Sequence, residues 1–382
     1  MSAVAACLPP VVSVADVLGG SDDPALEATV AAAGIESVAV ANGEAPPEMA
    51  VRATRAAMER AAVDAAAIAL VACAHSSYAG HDAWISAPYV QRLAIGGHRQ
   101  TLTLDVHQLA NGALSALELA AGYLTGTGGR AAVIAAAERF TLPGFDRWRS
   151  FPEAFLGDGA AALVLSREGG FLRLLSIASA VDPEMEGARR GDLPFAPAPA
   201  GGPGPLDLVR RRTEFVNRLG ADNWTRLTAN GRRTSLQAAL DEADTALADI
   251  AWAVLPHLGA RRLRADYWEP FGLDPARTTW EGLGRRVGHL GTVDPLAGLD
   301  FLVRSGRLQP GQRCLVLGSG ADMVWSAAVL QMESRPPGWA DESTPRHKGR
   351  SGPCHSRRSP ASTPGSSGNA DSCSRAGPRT GR

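Results

Sequence analysis

Lysine is almost absent from the 382 residues: Lys348 is the only one, so nearly every cation is an arginine. That bias points to GC-rich coding rather than to thermal adaptation, and it weakens any argument from arginine content alone. Cysteine is also sparse. Cys7, Cys73, Cys314, Cys354 and Cys373 lie far apart with no CxxC pair, which argues against a disulfide framework or a structural zinc site. No metal is expected. The longest apolar run, around Ala65 to Ala74, is too short to span a bilayer. The opening residues lack a basic segment ahead of a long apolar stretch, so no secretory signal is expected. A net charge of −1 provides no electrostatic ground for nucleic acid or an anionic membrane as partner. These absences predict a soluble cytoplasmic protein. What is present, 45% hydrophobic and 20% charged residues, allows two domains or one large doubled domain with a sizeable core.

The C-terminal stretch differs from the rest. Residues 335–382 carry nine Lys/Arg against three Asp/Glu, and 23 of the 48 are Gly, Pro or Ser. They include no Val, Ile, Leu, Met, Phe or Tyr, too little apolar surface to offset the entropy of ordering. Residues 334–382 are therefore expected to be a disordered tail.

The remainder repeats. At an offset of 182 residues, Ala56–Ala61 falls on Ala238–Ala243, His75 on His257, and His107 on His289. Alanine matches come easily in so alanine-rich a chain, but two of eight histidines at one offset do not. Each half reads in the same order. Helical spacing over 48–62 and 232–247 is followed by buried strands at Ile68–Ala72 and Ile250–Leu255. A strand ending near Val106 follows in the first half. Helices at 111–125 and 294–305 come next, then strands at Ala131–Ala136 and Arg313–Leu317, and last strands at Ala161–Leu165 and Trp325–Met332. The alternation predicts an α/β fold with parallel pairing, in halves spanning 1–165 and 166–333 about a pseudo-twofold axis. Segment 183–220, rich in Pro, Gly and Arg, reads as an insertion or cap.

Several motifs stand in a telling order. They are Leu104-Asp105-Val106-His107-Gln108-Leu109-Ala110-Asn111-Gly112, then Phe155-Leu156-Gly157-Asp158-Gly159, Pro256-His257, Gly288-His289-Leu290-Gly291 and Gly318-Ser319-Gly320-Ala321-Asp322. Over about residues 30–332 the chain resembles the β-ketoacyl-acyl-carrier-protein synthase III family of the thiolase fold, and its acyltransferase relatives in antibiotic pathways. The resemblance implies a layered α-β-α-β-α sandwich, a homodimer through the central strands, and an acyl carrier protein or acyl-CoA as partner. It implies no cofactor beyond the phosphopantetheine or coenzyme A of the substrate.

By that resemblance Ala110 occupies the nucleophilic cysteine position. Alanine cannot form an acyl-enzyme. Ser115, five residues on along a helix, faces elsewhere, and Cys73 and Cys314 read as core thiols. His257 matches the family histidine, and His289 replaces the family asparagine, giving a His/His pair suited to enolate stabilisation or general-base work. The Ala110 N–H, at the start of a buried helix, and by analogy the N–H near Ala321, beside Gly320, are expected oxyanion donors. Asp294 either orients a histidine or is a helix-start acid before Pro295. His107 is expected at the pocket wall or in a structural role, His75 in a turn. Gly157-Asp158-Gly159 and Gly318-Ser319-Gly320 lack nucleotide-loop spacing and read as tight turns. Arg210–Arg212 and Arg261–Arg264 are either a carrier-facing mouth or a solvated face.

Three functions follow from the resemblance. The first is acyl transfer from a carrier or CoA thioester, in secondary-metabolite or fatty-acid-type biosynthesis, directly to an acceptor without an acyl-cysteine. The second is decarboxylation of a malonyl thioester. The third is a non-catalytic carrier-binding or synthase partner, which a plugged tunnel would favour.

Overall fold

Strand alternation in this chain points every second side chain into a shared centre, and that pattern organises the whole molecule. A computed structural model describes residues 1–18, 23–97, 100–151, 153–191, 195 and 204–336. The tail expected at 334–382 lies, from residue 337 onward, outside the described residues. One sheet uses β1 (Ala3–Cys7) together with four later strands; β2 (Val11–Ser13) and β3 (Ser37–Ala39) pair separately. The later four are β4 (Ile68–Ala74), β5 (Leu102–Val106), β6 (Ala131–Glu138) and β7 (Gly159–Ser166), in spatial order β1-β7-β6-β4-β5. The second sheet has the order β8-β11-β10-β9, from β8 (Leu172–Val181), β9 (Ile250–Val254), β10 (Arg313–Gly320) and β11 (Val324–Met332).

Helices Gly112–Thr127 and Asp294–Arg304 lie between the sheets. Leu70, Ala72 and Ala74 of β4 meet them from one side, and Cys314 and Val316 of β10 from the other. The intervening Val71 and Cys73 face the outer helix Pro46–Ala61, while Leu315 and Leu317 face the outer helix Ala221–Glu242. Period-two alternation with both faces apolar thus yields five layers, the α-β-α-β-α sandwich.

The structure corrects the expected pairing. Only β4–β5, β4–β6 and β9–β10 are parallel; β6–β7, β7–β1, β10–β11 and β11–β8 are antiparallel. Strand β11 follows β10 after a three-residue turn, and β7 follows β6 with no intervening helix to make the crossover that a parallel neighbour needs. Strand β8 is absent from the sequence reading because its outer residues alternate with exposed ones, a weaker signal than a continuous buried run. The outer helix expected at 232–247 begins instead at Ala221.

Close packing of that helix has a measurable consequence. A Cβ at Gly231 would sit 2.0 Å from Cε3 of the buried Trp325. Gly231→Ala is expected to destabilise by about 1–3 kcal/mol through overpacking, despite alanine's better helix propensity. Urea denaturation measures this, and an unchanged midpoint would contradict the packing described.

Candidate active site

The turn between β5 and the Gly112–Thr127 helix is strained, and the strain presents Ala110. Leu109 has φ +47, and residues Leu109–Asn111 form a 3-10 turn before the α-helix proper. Asn111, fully buried, ties this turn down. Its amide nitrogen donates to Gln108 Oε1 at 3.1 Å, Ser115 Oγ at 3.0 Å and Ser326 Oγ at 2.8 Å. Ser115 also bonds Gln108, so it serves this network and does not line the chamber at Ala110. Across from it, Ala321 and Asp322 have φ +58 and +60 at the end of β10. A Cβ at Gly318 would lie 2.5 Å from Asn111 Oδ1, and one at Gly320 would lie 2.6 Å from the Gln108 carbonyl. These two glycines let the two turns approach each other. Among the described residues neither the Ala110 nor the Ala321 amide has an acceptor.

An inner chamber of about 300 Å3 opens at this junction, lined by His107, Ala110, His289, Ala321 and Asp322 among others. The turn carrying Ala110 packs against the short helix Gly291–Val293, which separates His289 from Asp294. Asp294, buried at the start of its helix, accepts three N–H hydrogen bonds. Oδ2 receives His289 Nδ1 at 2.6 Å and the His257 backbone N–H at 2.8 Å; Oδ1 receives the Leu290 N–H at 2.8 Å. Oδ1 also lies 3.0 Å from His257 Nδ1, but outside hydrogen-bond alignment. Burial pushes the Asp294 carboxyl upward; the two imidazoles and their bonds outweigh it and hold the group below the usual carboxylate range. An ionised Asp294 accepts from Nδ1–H and leaves His289 Nε2 as the basic nitrogen.

The expected His/His pair is corrected here. His257 is 1% exposed and is not among the chamber's lining residues, whereas its neighbours Pro256 and Leu258 are. The Leu258 N–H donates to the Pro256 carbonyl at 2.7 Å, a γ-turn centred on His257 that separates its side chain from those of its two neighbours. Its ring lies against Gly284, Nδ1 faces Asp294 Oδ1 at 3.0 Å, and Nε2 is buried without a hydrogen-bond partner. His289 alone reaches the chamber. Of the two readings of Asp294, the orienting one matches the geometry, and its position at the helix start adds to it. His107 lines the chamber and stands edge-on to His75, with ring centroids 6.1 Å apart. His75 bonds the Ser77 carbonyl and faces Asp105, the turn role expected. Gly320 contributes close approach and no lining. Burial pushes the Cys314 thiol up to about 12 and the Cys73 thiol well above its ordinary range, which makes both poor nucleophiles.

Sequence reasoning missed one wall. Phe140, Phe145, Phe151 and Leu156 line the chamber, from the segment between β6 and β7. The Phe155-Leu156-Gly157-Asp158 motif was the available signal: buried Asp158 takes both amino groups of Arg147, at 3.0 and 2.9 Å, and so folds this segment over the site. Segment 183–220 does act as a cap, supplying Arg189, Leu206, Leu208 and Arg211.

A second, outer cavity of about 710 Å3 shares Arg262 with the inner one and is lined by Ala28, Thr29, Arg212, Trp224 and Arg261. Between them lies a buried charge cluster. Arg262 donates to Asp322 at 2.5 Å, Glu153 at 2.6 Å and Asp266 at 2.9 Å; Arg212 also holds Glu153, and Arg189 holds Asp322. Burial raises the Asp322 and Glu153 pKa values, but the guanidiniums prevail and lower each to about 2. With folded values below the ordinary ones, this stabilisation is complete above about pH 4.5 and lost as pH falls toward 2. For Asp322 alone it amounts to about 2 kcal/mol. The melting temperature is expected to fall across that window, less steeply in Asp322→Asn; a flat profile would contradict the cluster's contribution.

With this geometry in view, the comparisons agree. Residues 104–183 match the model of 3-oxoacyl-[acyl-carrier-protein] synthase III, and residues 240–332 match that of its C-terminal part. The chain belongs to this synthase III family of the thiolase fold, a family of transferases. Among solved structures, the acyltransferase ChlB3 is 33% identical with a TM-score of 0.82, covering 89% of this chain and 98% of its own. FabH of Pseudomonas aeruginosa is 21% identical with a TM-score of 0.66, covering 88% and 98%. The β-ketoacyl-[acyl-carrier-protein] synthase III of Rhizorhabdus wittichii is 28% identical over 295 residues, 76% of this chain and 85% of that protein. No helix among the described residues is long and apolar enough to cross a membrane.

Proposed function

We propose that the protein transfers an acyl group from the thioester of an acyl carrier protein or coenzyme A directly to an acceptor, with no acyl-cysteine, in the cytoplasm and in secondary-metabolite or fatty-acid-type biosynthesis. The observation that carries this reading is the His289–Asp294 pair, bonded at 2.6 Å, on the wall of an open chamber that Ala110 and Ala321 also line. His289 Nε2 takes the proton of the acceptor's X–H group as X attacks the thioester carbonyl carbon. The Ala110 and Ala321 N–H groups hold the resulting oxyanion. Collapse expels the thiolate, which recovers the proton from the imidazolium, so the base is restored.

The outer cavity suits the phosphopantetheine arm of the substrate, and no other cofactor is needed. Arg261 lines it, exposed and without an acidic partner among the described residues, and is available to a phosphate. A homodimer through β5 fits the exposure of apolar groups there. Strand β5 is the sheet edge, Leu102 on it is 45% exposed, and Leu119 on the adjoining helix is 55% exposed. The unplugged chamber speaks against the non-catalytic partner.

Mass spectrometry of carriers loaded with acyl and malonyl groups tests the reading, with wild type beside His289→Ala. Acyl loss to an added acceptor, dependent on His289 and without a protein adduct, is expected. Loss of carbon dioxide from the malonyl carrier with no transfer would establish the decarboxylase instead. An unchanged carrier pool in every arm would leave a binding partner.

A further inference from the structure

The inner chamber's apolar wall is interrupted by one guanidinium with spare capacity. Arg189 lies on the short helix Gly187–Arg190 of the cap. Its Cζ sits 5.2 Å over the Phe151 ring, and Nη2 donates to Asp322 at 3.0 Å. Nη1 is buried and bonds nothing. A buried charged donor without an acceptor is unfavourable, and native structures rarely leave one so unless something else occupies the site. Arg211, which donates to the Arg189 carbonyl at 3.1 Å, lines the same chamber. Among the described lining residues Asp322 is the one carboxylate, and Arg189 and Arg262 already share it. We infer that Arg189 is a specificity residue of this chamber and selects acyl groups that end in a carboxylate.

The inference rests on the acyl-thioester reading above and names its substrate class. Phe140, Phe145 and Leu208 would accommodate the chain, and the terminal carboxylate would meet the Arg189 guanidinium, whose Nη1 becomes reachable when the ligand displaces the contacts that bury it. A chamber of about 300 Å3 is at the small end for ligand pockets, which favours short chains. Burial lowers the Arg189 pKa; Asp322 opposes this, and Arg262 and Arg212 add to the lowering. A ligand carboxylate would supply the missing counter-charge.

Calorimetric titration with hexanoyl-CoA, its matched ω-carboxylate adipoyl-CoA, and free coenzyme A tests this. Wild type is expected to bind adipoyl-CoA at least about tenfold more tightly than hexanoyl-CoA. Arg189→Gln is expected to bring the ratio of the two affinities to about one, and Arg189→Lys to keep part of the preference. Equal wild-type affinities for the two thioesters, or a preference that survives in Arg189→Gln, would overturn the assignment while leaving the acyl site standing. If neither thioester binds better than free coenzyme A, the acyl-site reading falls and this inference falls with it.

Discussion

Ala110→Cys is expected to convert a protein that forms no acyl adduct into one acylated close to stoichiometrically by acyl-CoA. Everything a thiol needs is already arranged around the Ala110 Cβ. The residue lines the chamber at the start of a buried helix, beside a histidine whose other nitrogen is held by a buried carboxylate. Helix N-termini and adjacent imidazoles both lower a thiol's pKa and increase its thiolate fraction. Intact-protein mass spectrometry reads the result directly, as one acyl mass on the variant and none on wild type. The same variant with His289→Ala is expected to acylate far more slowly, by roughly 10²–10⁴-fold, the usual contribution of a positioned base. An adduct on wild type would show that another side chain is the nucleophile. A folded Ala110→Cys variant that stays unmodified would show that the chamber does not admit a thioester.

Asp294→Asn is expected to abolish most transfer while leaving a folded protein. The carboxylate faces only donors: the His289 Nδ1, the His257 backbone N–H and the Leu290 N–H. An asparagine retains one acceptor oxygen and brings an NH2 group that must confront at least one of those N–H groups. If the NH2 faces His289, the imidazole must accept at Nδ1 and carry its proton on Nε2, and the base is lost. By analogy with the Asp→Asn change in catalytic triads, a fall of about 10⁴ in turnover follows. The unsatisfied buried donor adds a stability loss of about 1–3 kcal/mol. Turnover and thermal unfolding measured together separate the two effects. Loss of stability with full activity would mean that Asp294 only fastens the helix start.

The layers, the order of elements and the repeat were legible because they depend on local pattern. Continuous apolar runs within Ile68–Ala74 and Arg313–Gly320 specify buried strands whatever surrounds them. The reading of Ala110 came from the family resemblance, which its contiguous motif with Gly112 behind it carries. Histidine roles were not legible. His257 and His289 were read as one pair, yet one side chain faces the chamber and the other is sealed behind Asp294. That difference depends on the γ-turn at Pro256-His257-Leu258, and the sequence pattern around those residues is compatible with either facing.

The sequence by itself therefore determined the fold, because buried runs and helical spacing follow from periodicity, while the resemblance carried by its contiguous motifs pointed to Ala110 and the groups near it. Only the tertiary structure decided which histidine reaches the chamber, how Arg262 and its partners stand between two cavities, and that Arg189 carries an unmatched buried donor. Those properties arise from separate segments, Arg189 and Asp322 133 positions apart and Glu153 and Arg262 109 apart, meeting in a low-dielectric interior. There a single contact reverses the balance between burial and charge, and no one-dimensional spacing records it.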